Sequence, residues 1–339
     1  MKNSFNSTQR VKLVHGGGGE AMHGLLSVLL GKISNKNVAG GIGLAELDDA
    51  ATIPFKGEQL VFTTDSYTVK PIFFPGGDIG KLSMCGTIND LSMMGGKPLA
   101  ISSAFIVGAG FPIDDLHTIV ESMDAVSREI GVPIVTGDTK VVESDIGILI
   151  NTAGLGVAKK VVSDAGLRPG DKIIINGPVG DHGMAVLAGR EGIAFETSLV
   201  SDCAPLWHMV EKVIGYDLHA LKDPTRGGLA SCVNEMAHKA KVDVFLDEDL
   251  IPVRESVRAA SGMLGIDPLT VANEGKAVFG VAPGDAEAVL KALKKTKYGR
   301  DAVMFGEVIK GTGRVILKTS IGGERLLEAP AGDPVPRVC

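Results

Sequence analysis

The sequence has few aromatic residues and no long apolar run, and these absences exclude two classes of protein. Phe, Tyr and Trp make up 4% of the 339 residues, and the formal net charge is −6. Nucleic-acid binding relies on basic patches and stacking rings, so we expect no nucleic-acid partner. No apolar run reaches the roughly 20 residues of a membrane-spanning helix. The amino-terminal residues lack the apolar stretch of a secretory signal, so we expect a cytoplasmic protein without a membrane partner.

Common metal and nucleotide motifs are also missing. The four cysteines, Cys85, Cys203, Cys232 and Cys339, include no pair with Cys-x-x-Cys spacing, so neither a zinc site nor a disulfide framework is indicated. No Gly-Lys pair is followed by Ser or Thr, which excludes a P-loop. A bound nucleotide would have to be held by another architecture.

Strand-like and helix-like segments are mixed along the chain and predict an α/β (mixed α+β) protein. Apolar residues at helical spacing between 116 and 130 predict a helix that is capped by Asp114 and ended by Gly131. We divide the chain into an arm with a glycine-rich loop (1–40), a first domain (41–160), a second domain (161–330) and a mobile tail (331–339). The last boundary rests on two prolines, Pro334 and Pro336, which hold the backbone extended and remove hydrogen-bond donors.

Aspartates recur at predicted strand ends or in glycine-flanked loops, and they are the main sign of chemistry. They are Asp48, Asp49, Asp65, Asp90, Asp138 and Asp223. Carboxylates that converge from several loops suit a hard cation such as Mg²⁺, which in turn indicates a phosphate ligand. The alternative is that each aspartate is an ordinary turn or cap residue.

Two stretches near the chain ends add to this pattern. The glycine run that contains Gly17 and Gly18 either forms a backbone nest for an anion or is a flexible linker. The last residue, Cys339, places a thiol on a short, semi-stiff arm with reach.

Taken together, the motifs resemble the HypE family of hydrogenase expression/formation proteins. The matching stretches are LVHGGGGEAMHGLL, LDDAA, FTTDSY, GTINDLSMMGGKP, TGDTKVV, GPVGDHGMAVLAGREG, DPTRGGLA, ANEGK and the terminal PRVC. The internal motifs are shared with aminoimidazole ribonucleotide synthetase, selenophosphate synthetase and thiamine-monophosphate kinase. The terminal motif points to HypE, although Val338 stands where that family more often has isoleucine.

The resemblance implies a fold and a reaction. The fold has two domains, with the amino-terminal sheet pairing across a homodimer into a barrel and a carboxy-terminal α/β sandwich. A carbamoyl-transferase partner loads Cys339, and ATP is used to dehydrate the thiocarboxamide to a thiocyanate. The cyano group then passes to an iron-carrying complex of [NiFe] hydrogenase maturation.

The resemblance also implies site residues. Asp48, Asp65, Asp90 and Asp223 match positions that bind Mg²⁺ and phosphate, and Asp138, Gly17 and Gly18 match ATP-binding positions. Either Lys140 or Glu274 is the expected base, and Asn89 is expected to hold a phosphate-bound water or an amide. Two alternatives stay open: a small-molecule kinase or synthetase of the same superfamily, and a non-enzymatic thiol carrier.

Overall fold

The computed structural model describes residues 11–12, 15, 19–190, 199–332, 335 and 338–339. Its two main β-sheets have five and seven strands, and each belongs to one half of the chain. The first sheet has the strand order β1-β2-β7-β5-β6, and a separate two-stranded ribbon is formed by β3 and β4. Their bounds are β1 Ala51–Phe55, β2 Glu58–Tyr67, β3 Phe73–Phe74, β4 Gly77–Asp78, β5 Lys97–Gly108, β6 Ile134–Val142 and β7 Ile148–Ala158.

Two helices, α2 (Ile79–Met93) and α3 (Ile113–Ile130), follow the first strands. Helix α2 is buried on nearly all sides between the sheet and α3. It begins at Asp78, whose carboxylate accepts hydrogen bonds from the amides of Gly80 and Lys81 and so satisfies two donors of the first turn. The helix therefore has a fixed start, which also fixes the position of its last turn.

The second sheet has the order β14-β13-β10-β12-β8-β11-β9. Its strands are β8 Lys172–Ile175, β9 Leu218–Lys222, β10 Val242–Asp247, β11 Val278–Val281, β12 Val303–Lys310, β13 Val315–Lys318 and β14 Glu324–Leu326. The remaining helices are α1 Gly19–Leu30, α4 Asp181–Ala188, α5 Trp207–Val210, α6 Gly228–Ala240, α7 Glu255–Leu264 and α8 Ala286–Leu293. Among the described residues, no helix is both long and apolar enough to cross a membrane.

One hydrophobic core joins the two halves of the chain. The same buried cluster contains Leu91 of α2 and Phe279 of β11. Val335 and Val338 of the tail belong to it as well, each 1% exposed. The end of the chain is therefore packed into the core at the boundary between the two sheets.

The predicted helix is present as α3, and the structure differs from the expectations in three details. Gly131 ends α3 in a left-handed conformation as predicted, but the N-cap is Pro112 and Asp114 lies in the first turn. Asp90 was expected at a strand end or in a loop, whereas it lies in α2. The arm predicted for residues 1–40 contains helix α1.

The close contact between α2 and α3 depends on Gly80. A Cβ at this position would lie well inside contact distance of the backbone oxygen of Ile119. We predict that Gly80→Ala lowers the free energy of unfolding by about 1–3 kcal/mol, because one of the two helices must shift. Gly262 is the matched control, since it lies within α7 and an added Cβ would meet no atom within 4 Å. Gly262→Ala should be neutral or stabilise by up to about 1 kcal/mol in the same urea titration. Equal effects of the two substitutions would contradict the packing argument.

Candidate active site

Four carboxylates from four elements converge on one side of the first sheet. Asp49 precedes β1, Asp65 lies on β2, Asp90 lies in the last turn of α2, and Asp223 follows β9. The Thr63 hydroxyl on β2 donates to Asp90 over 2.9 Å, which ties the helix to the sheet. Thr63 and Asp65 lie on the same face of β2 as the buried Val61, because every second residue of a strand points to the same side. The charges of Asp223, Asp65 and Asp49 all act on Asp90, so these carboxylates lie near one another.

Burial and mutual repulsion dominate the electrostatics of this cluster. Burial, followed by the charges of Asp223, Asp65 and Asp49, raises the pKa of Asp90 well above its usual range. Burial is also the main reason why the pKa of Asp223 rises to about 6, and the charge of Asp65 adds to it while Lys222 opposes it. Such a cluster favours a bound cation, because a cation removes the repulsion.

The adjacent residues Asp48 and Asp49 contact different partners. Asp48 accepts a hydrogen bond from Ser163 (2.7 Å), whereas Asp49 pairs with Lys222 (2.5 Å) and acts on Asp90. Asp49 thus interacts directly with the carboxylate cluster, and the predicted Asp48 lies next to it, where its charge raises the pKa of Asp49.

The donor set around Asp49 fits a hard cation. Oxygen ligands of Asp48, Asp49 and Asp164 lie within 4.8 Å of one another. One oxygen of Asp49 and one of Asp164 are buried without a hydrogen-bond partner. Oxygen-rich sites of this kind suit Mg²⁺, although Lys222 already neutralises part of the charge.

Arg226 is a cation that the sequence analysis did not single out, although it lies in the DPTRGGLA motif. The negative charge of Cys339 is the main reason why the pKa of the Arg226 guanidinium is raised. Burial opposes this effect, and the charges of Asp65, Glu274 and Asp90 add to it. Gly227 and Gly228 follow it with φ of 74° and 61°, a left-handed pair that starts α6. The Arg226 guanidinium therefore lies near enough to interact with both the chain terminus and the carboxylates.

The chain terminus is held in place by hydrogen bonds as well as by burial. The Thr68 hydroxyl donates to the backbone oxygen of Cys339 (3.2 Å), and His182 bonds to the backbone oxygen of Val338 (2.7 Å). Cys339 itself is half-buried and packs against the shared core. Two residues of the tail that precede Cys339, Pro336 and Arg337, lie outside the described residues.

Glu274 lies beside this site and Asn89 supports it. Burial raises the pKa of Glu274 well above its usual range, and the charges of Cys203, Asp223, Asp202 and Asp65 add to the effect. The Asn89 amide donates to the backbone oxygens of Ala204 (3.1 Å) and Glu274 (3.3 Å), and its oxygen accepts from the amide of Leu206 (2.8 Å). Because these bonds occupy the Asn89 side chain, the geometry favours a structural role over the predicted contact with phosphate-bound water.

Lys140 and Asp138 do not join the cluster within one chain. They pair with each other on edge strand β6 (2.9 Å), with side chains 68% and 63% exposed. A bulge in the β5–β6 ladder shifts the register: Ile134 pairs with Ile101 and Thr136 with Ser102. The shift turns residues 138 and 140 to the face opposite the α2 side. The expected ATP-binding residues Gly17 and Gly18 lie outside the described residues.

Comparisons with known proteins show which family the chain resembles over most of its length. Residues 47–158 match the N-terminal domain, and residues 168–318 the C-terminal domain, of AIR synthase related proteins. The carbamoyl dehydratase HypE of Cupriavidus necator is 45% identical over 338 residues, which cover 97% of this chain and 95% of that protein.

Two crystal structures show the same fold. A chain of a HypE–HypF complex has a TM-score of 0.84 at 43% identity, covering 90% of this chain and 99% of that one. The hydrogenase maturation protein HypE in complex with ATP has a TM-score of 0.80 at 42% identity, covering 96% and 99%.

The raised pKa of Asp223 gives a prediction for stability. Its value is about 6 in the folded protein against 3.8 ordinarily, so between these values the folded state binds more protons than the unfolded state. Stability should therefore fall as the pH rises from 4 to about 7. Without added Mg²⁺, Asp223→Asn should stabilise the protein at pH 8 by up to about 3 kcal/mol, and the gain should vanish near pH 4.

The matched control is Asp138→Asn, measured by urea denaturation at both pH values. Lys140 lowers the pKa of Asp138, so this substitution should give no gain at pH 8. A less stable Asp223→Asn variant at pH 8 would contradict the raised pKa of Asp223 in the folded protein.

Proposed function

Because the chain belongs to the HypE family of carbamoyl dehydratases, we propose that it uses ATP to dehydrate a carbamoyl group on the sulfur of its own Cys339. The observation that carries this proposal is the position of Arg226. The charge of Cys339, that of Glu274 and those of two cluster carboxylates all act on this one guanidinium. This shared partner supports the proposal that the end of the chain reacts at the carboxylate cluster.

The reaction balances without a redox partner. The thiocarboxamide oxygen takes the γ-phosphoryl group of ATP, which releases ADP and converts a poor leaving group into phosphate. The carbon–oxygen bond then breaks, two protons leave the nitrogen, and the product is a thiocyanate on Cys339. The chain loses the elements of one water, which appear in ADP and phosphate.

The residues of the site match these steps. Glu274 is the proposed base, since a buried carboxylate with a raised pKa can take a proton near neutral pH. Arg226 stabilises negative charge that develops beside Cys339. Asp48, Asp49, Asp65, Asp90 and Asp223 would hold Mg²⁺, which would neutralise phosphate charge when bound.

Two protein partners follow from the reaction. A carbamoyl transferase must load Cys339, and the crystallised HypE–HypF complex of the family supports such a partner. An iron-carrying maturation complex must accept the cyano group. For either exchange the tail must leave the core, which costs the burial of Val335 and Val338.

A homodimer is the proposed assembly, and the outer face of the first sheet supports it. This face is exposed and apolar over three adjacent strands and continues on β5; its large residues are Ile53, Phe55, Phe62, Leu155 and Ile106. Lys140 lies on the same face, so a homodimer would place it at the interface.

The observations weigh against the two alternative functions. A bare thiol carrier has no use for four convergent carboxylates. A small-molecule kinase would not need its terminal cysteine docked against Arg226. A thiamine-monophosphate kinase structure resembles the chain at 16% identity and a TM-score of 0.63, which shows the shared fold alone.

The function can be tested on the carbamoylated full-length chain. Addition of Mg-ATP should remove the mass of one water from the carboxy-terminal peptide, as followed by mass spectrometry. Cys339→Ala should bind ATP with unchanged affinity, because its Sγ is not part of the carboxylate cluster, and should form no cyano product. Persistence of the carbamoyl mass in the wild type, with ATP bound, would contradict the proposed function.

The homodimer can be tested by light scattering. The wild type should have twice the 35.2 kDa mass of one chain. Phe62→Asp should reduce the mass to that of one chain, because it places a charge on the face that the dimer would cover. Ile321→Asp is the control, since Ile321 is 93% exposed in a turn of the second half, and it should leave the mass unchanged. A dimeric Phe62→Asp variant would show that another surface is used.

A further inference from the structure

His182 is buried where the tail meets the second domain, and the reaction described above does not use it. Its side chain is fully buried. Its ring packs edge-on against Phe74, with 5.3 Å between the ring centroids and 89° between the planes. The ring therefore has one fixed orientation, and its two nitrogens have separate partners.

The partners define which nitrogen carries the proton. The backbone oxygen of Val338 can only accept, so Nε2 of His182 carries the hydrogen and donates over 2.7 Å. Ser201 Oγ accepts from the amide of Cys203 (3.0 Å) and is 2.8 Å from Nδ1, so its hydroxyl donates to Nδ1. Burial lowers the pKa of His182, which agrees with a neutral ring.

Ser201 begins a short segment, 201–204, that leads from His182 to Glu274. The carboxylate of Asp202 accepts from the amide of Glu274 (3.1 Å). The amide of Ala204 donates to the backbone oxygen of Glu274 (3.3 Å), and Asn89 bridges these two residues. Lys276 holds Asp202 from the far side (2.8 Å). Hydrogen bonds at both ends of segment 201–204, together with its backbone, therefore join the tail to the backbone of Glu274.

We propose that His182 is a positioning residue that recognises the docked tail and, through segment 201–204, links docking to the placement of Glu274. The inference rests on the proposed function, because it takes the tail as the substrate and Glu274 as the base. Undocking breaks the bond to Val338 and leaves His182 with only one of its two partners. The segment then loses one of its fixed ends, so that Glu274 is held for reaction only while Cys339 is in the cleft.

Two substitutions separate the two bonds of the ring. In His182→Asn the side-chain oxygen can replace Nδ1 and keep the bond to Ser201, but the side chain is too short to reach Val338. In His182→Gln the terminal amide can replace Nε2 and keep the bond to Val338, while the bond to Ser201 is lost. Both variants lose the ring packing on Phe74, so a difference between them reports on the hydrogen bonds.

The first readout is the alkylation rate of Cys339 in the uncarbamoylated chain, which needs no activity. Cys85, Cys203 and Cys232 are 0–3% exposed, so iodoacetamide should react first at Cys339. We expect His182→Asn to react about three- to tenfold faster than the wild type, the effect of one lost hydrogen bond, and His182→Gln to react near the wild-type rate. Equal rates for the two variants, whether fast or slow, would overturn the recognition of the tail by His182.

The second readout is single-turnover loss of water from the carbamoylated chain at saturating Mg-ATP. We expect His182→Gln to be slower than the wild type by at least about tenfold, although its tail stays docked, because the link to Glu274 is cut. A wild-type rate for His182→Gln would overturn the link. Failure of the wild type to lose water would instead contradict the proposed function, while the alkylation result would still decide whether His182 holds the tail.

Discussion

Repulsion among Asp49, Asp65, Asp90 and Asp223 is the interaction on which the rest of the site depends. Burial and the charges of neighbouring carboxylates raise the pKa values of Asp49, Asp90 and Asp223, so the fold keeps negative charge where it is unfavourable without a ligand. Lys222 and Arg226 offset only part of it. A bound cation with its nucleotide phosphate would neutralise the remaining negative charge. The fold is therefore less stable without these ligands than it would be with uncharged residues at the site.

The same charge distribution explains where the tail docks. Arg226 interacts with the charges of both the carboxylates and Cys339, so a negative charge at the chain end is favourable there although the region as a whole is acidic. Apolar burial of Val335 and Val338 and the bonds from Thr68 and His182 supply the remaining affinity. Each of these contacts is modest, which suits a substrate that must dock, react and leave.

The sequence predicted the local features well and the distant contacts poorly. The end of α3 at Gly131 follows from residue periodicity and turn chemistry, and Asp65 was singled out because it lies at a predicted strand. The face on which Lys140 lies depends on a single bulge in the β5–β6 ladder, which simple alternation cannot foresee. The bond from His182 to Val338 joins residues 156 positions apart in the sequence. A role for Arg226 could not be predicted without knowing that Cys339 lies near it in the fold.

The most direct test of the account is the distance between the tail and the metal–nucleotide site. Cys339 can be loaded with a ¹³C-labelled carbamoyl group, and a non-hydrolysable ATP analogue can be bound with Mn²⁺, which accepts the oxygen ligands that suit Mg²⁺. The account predicts strong paramagnetic broadening of the labelled carbon, which disappears when Mg²⁺ replaces Mn²⁺. A sharp carbon signal at saturating Mn²⁺ and analogue would show that the tail reacts elsewhere and would contradict the account.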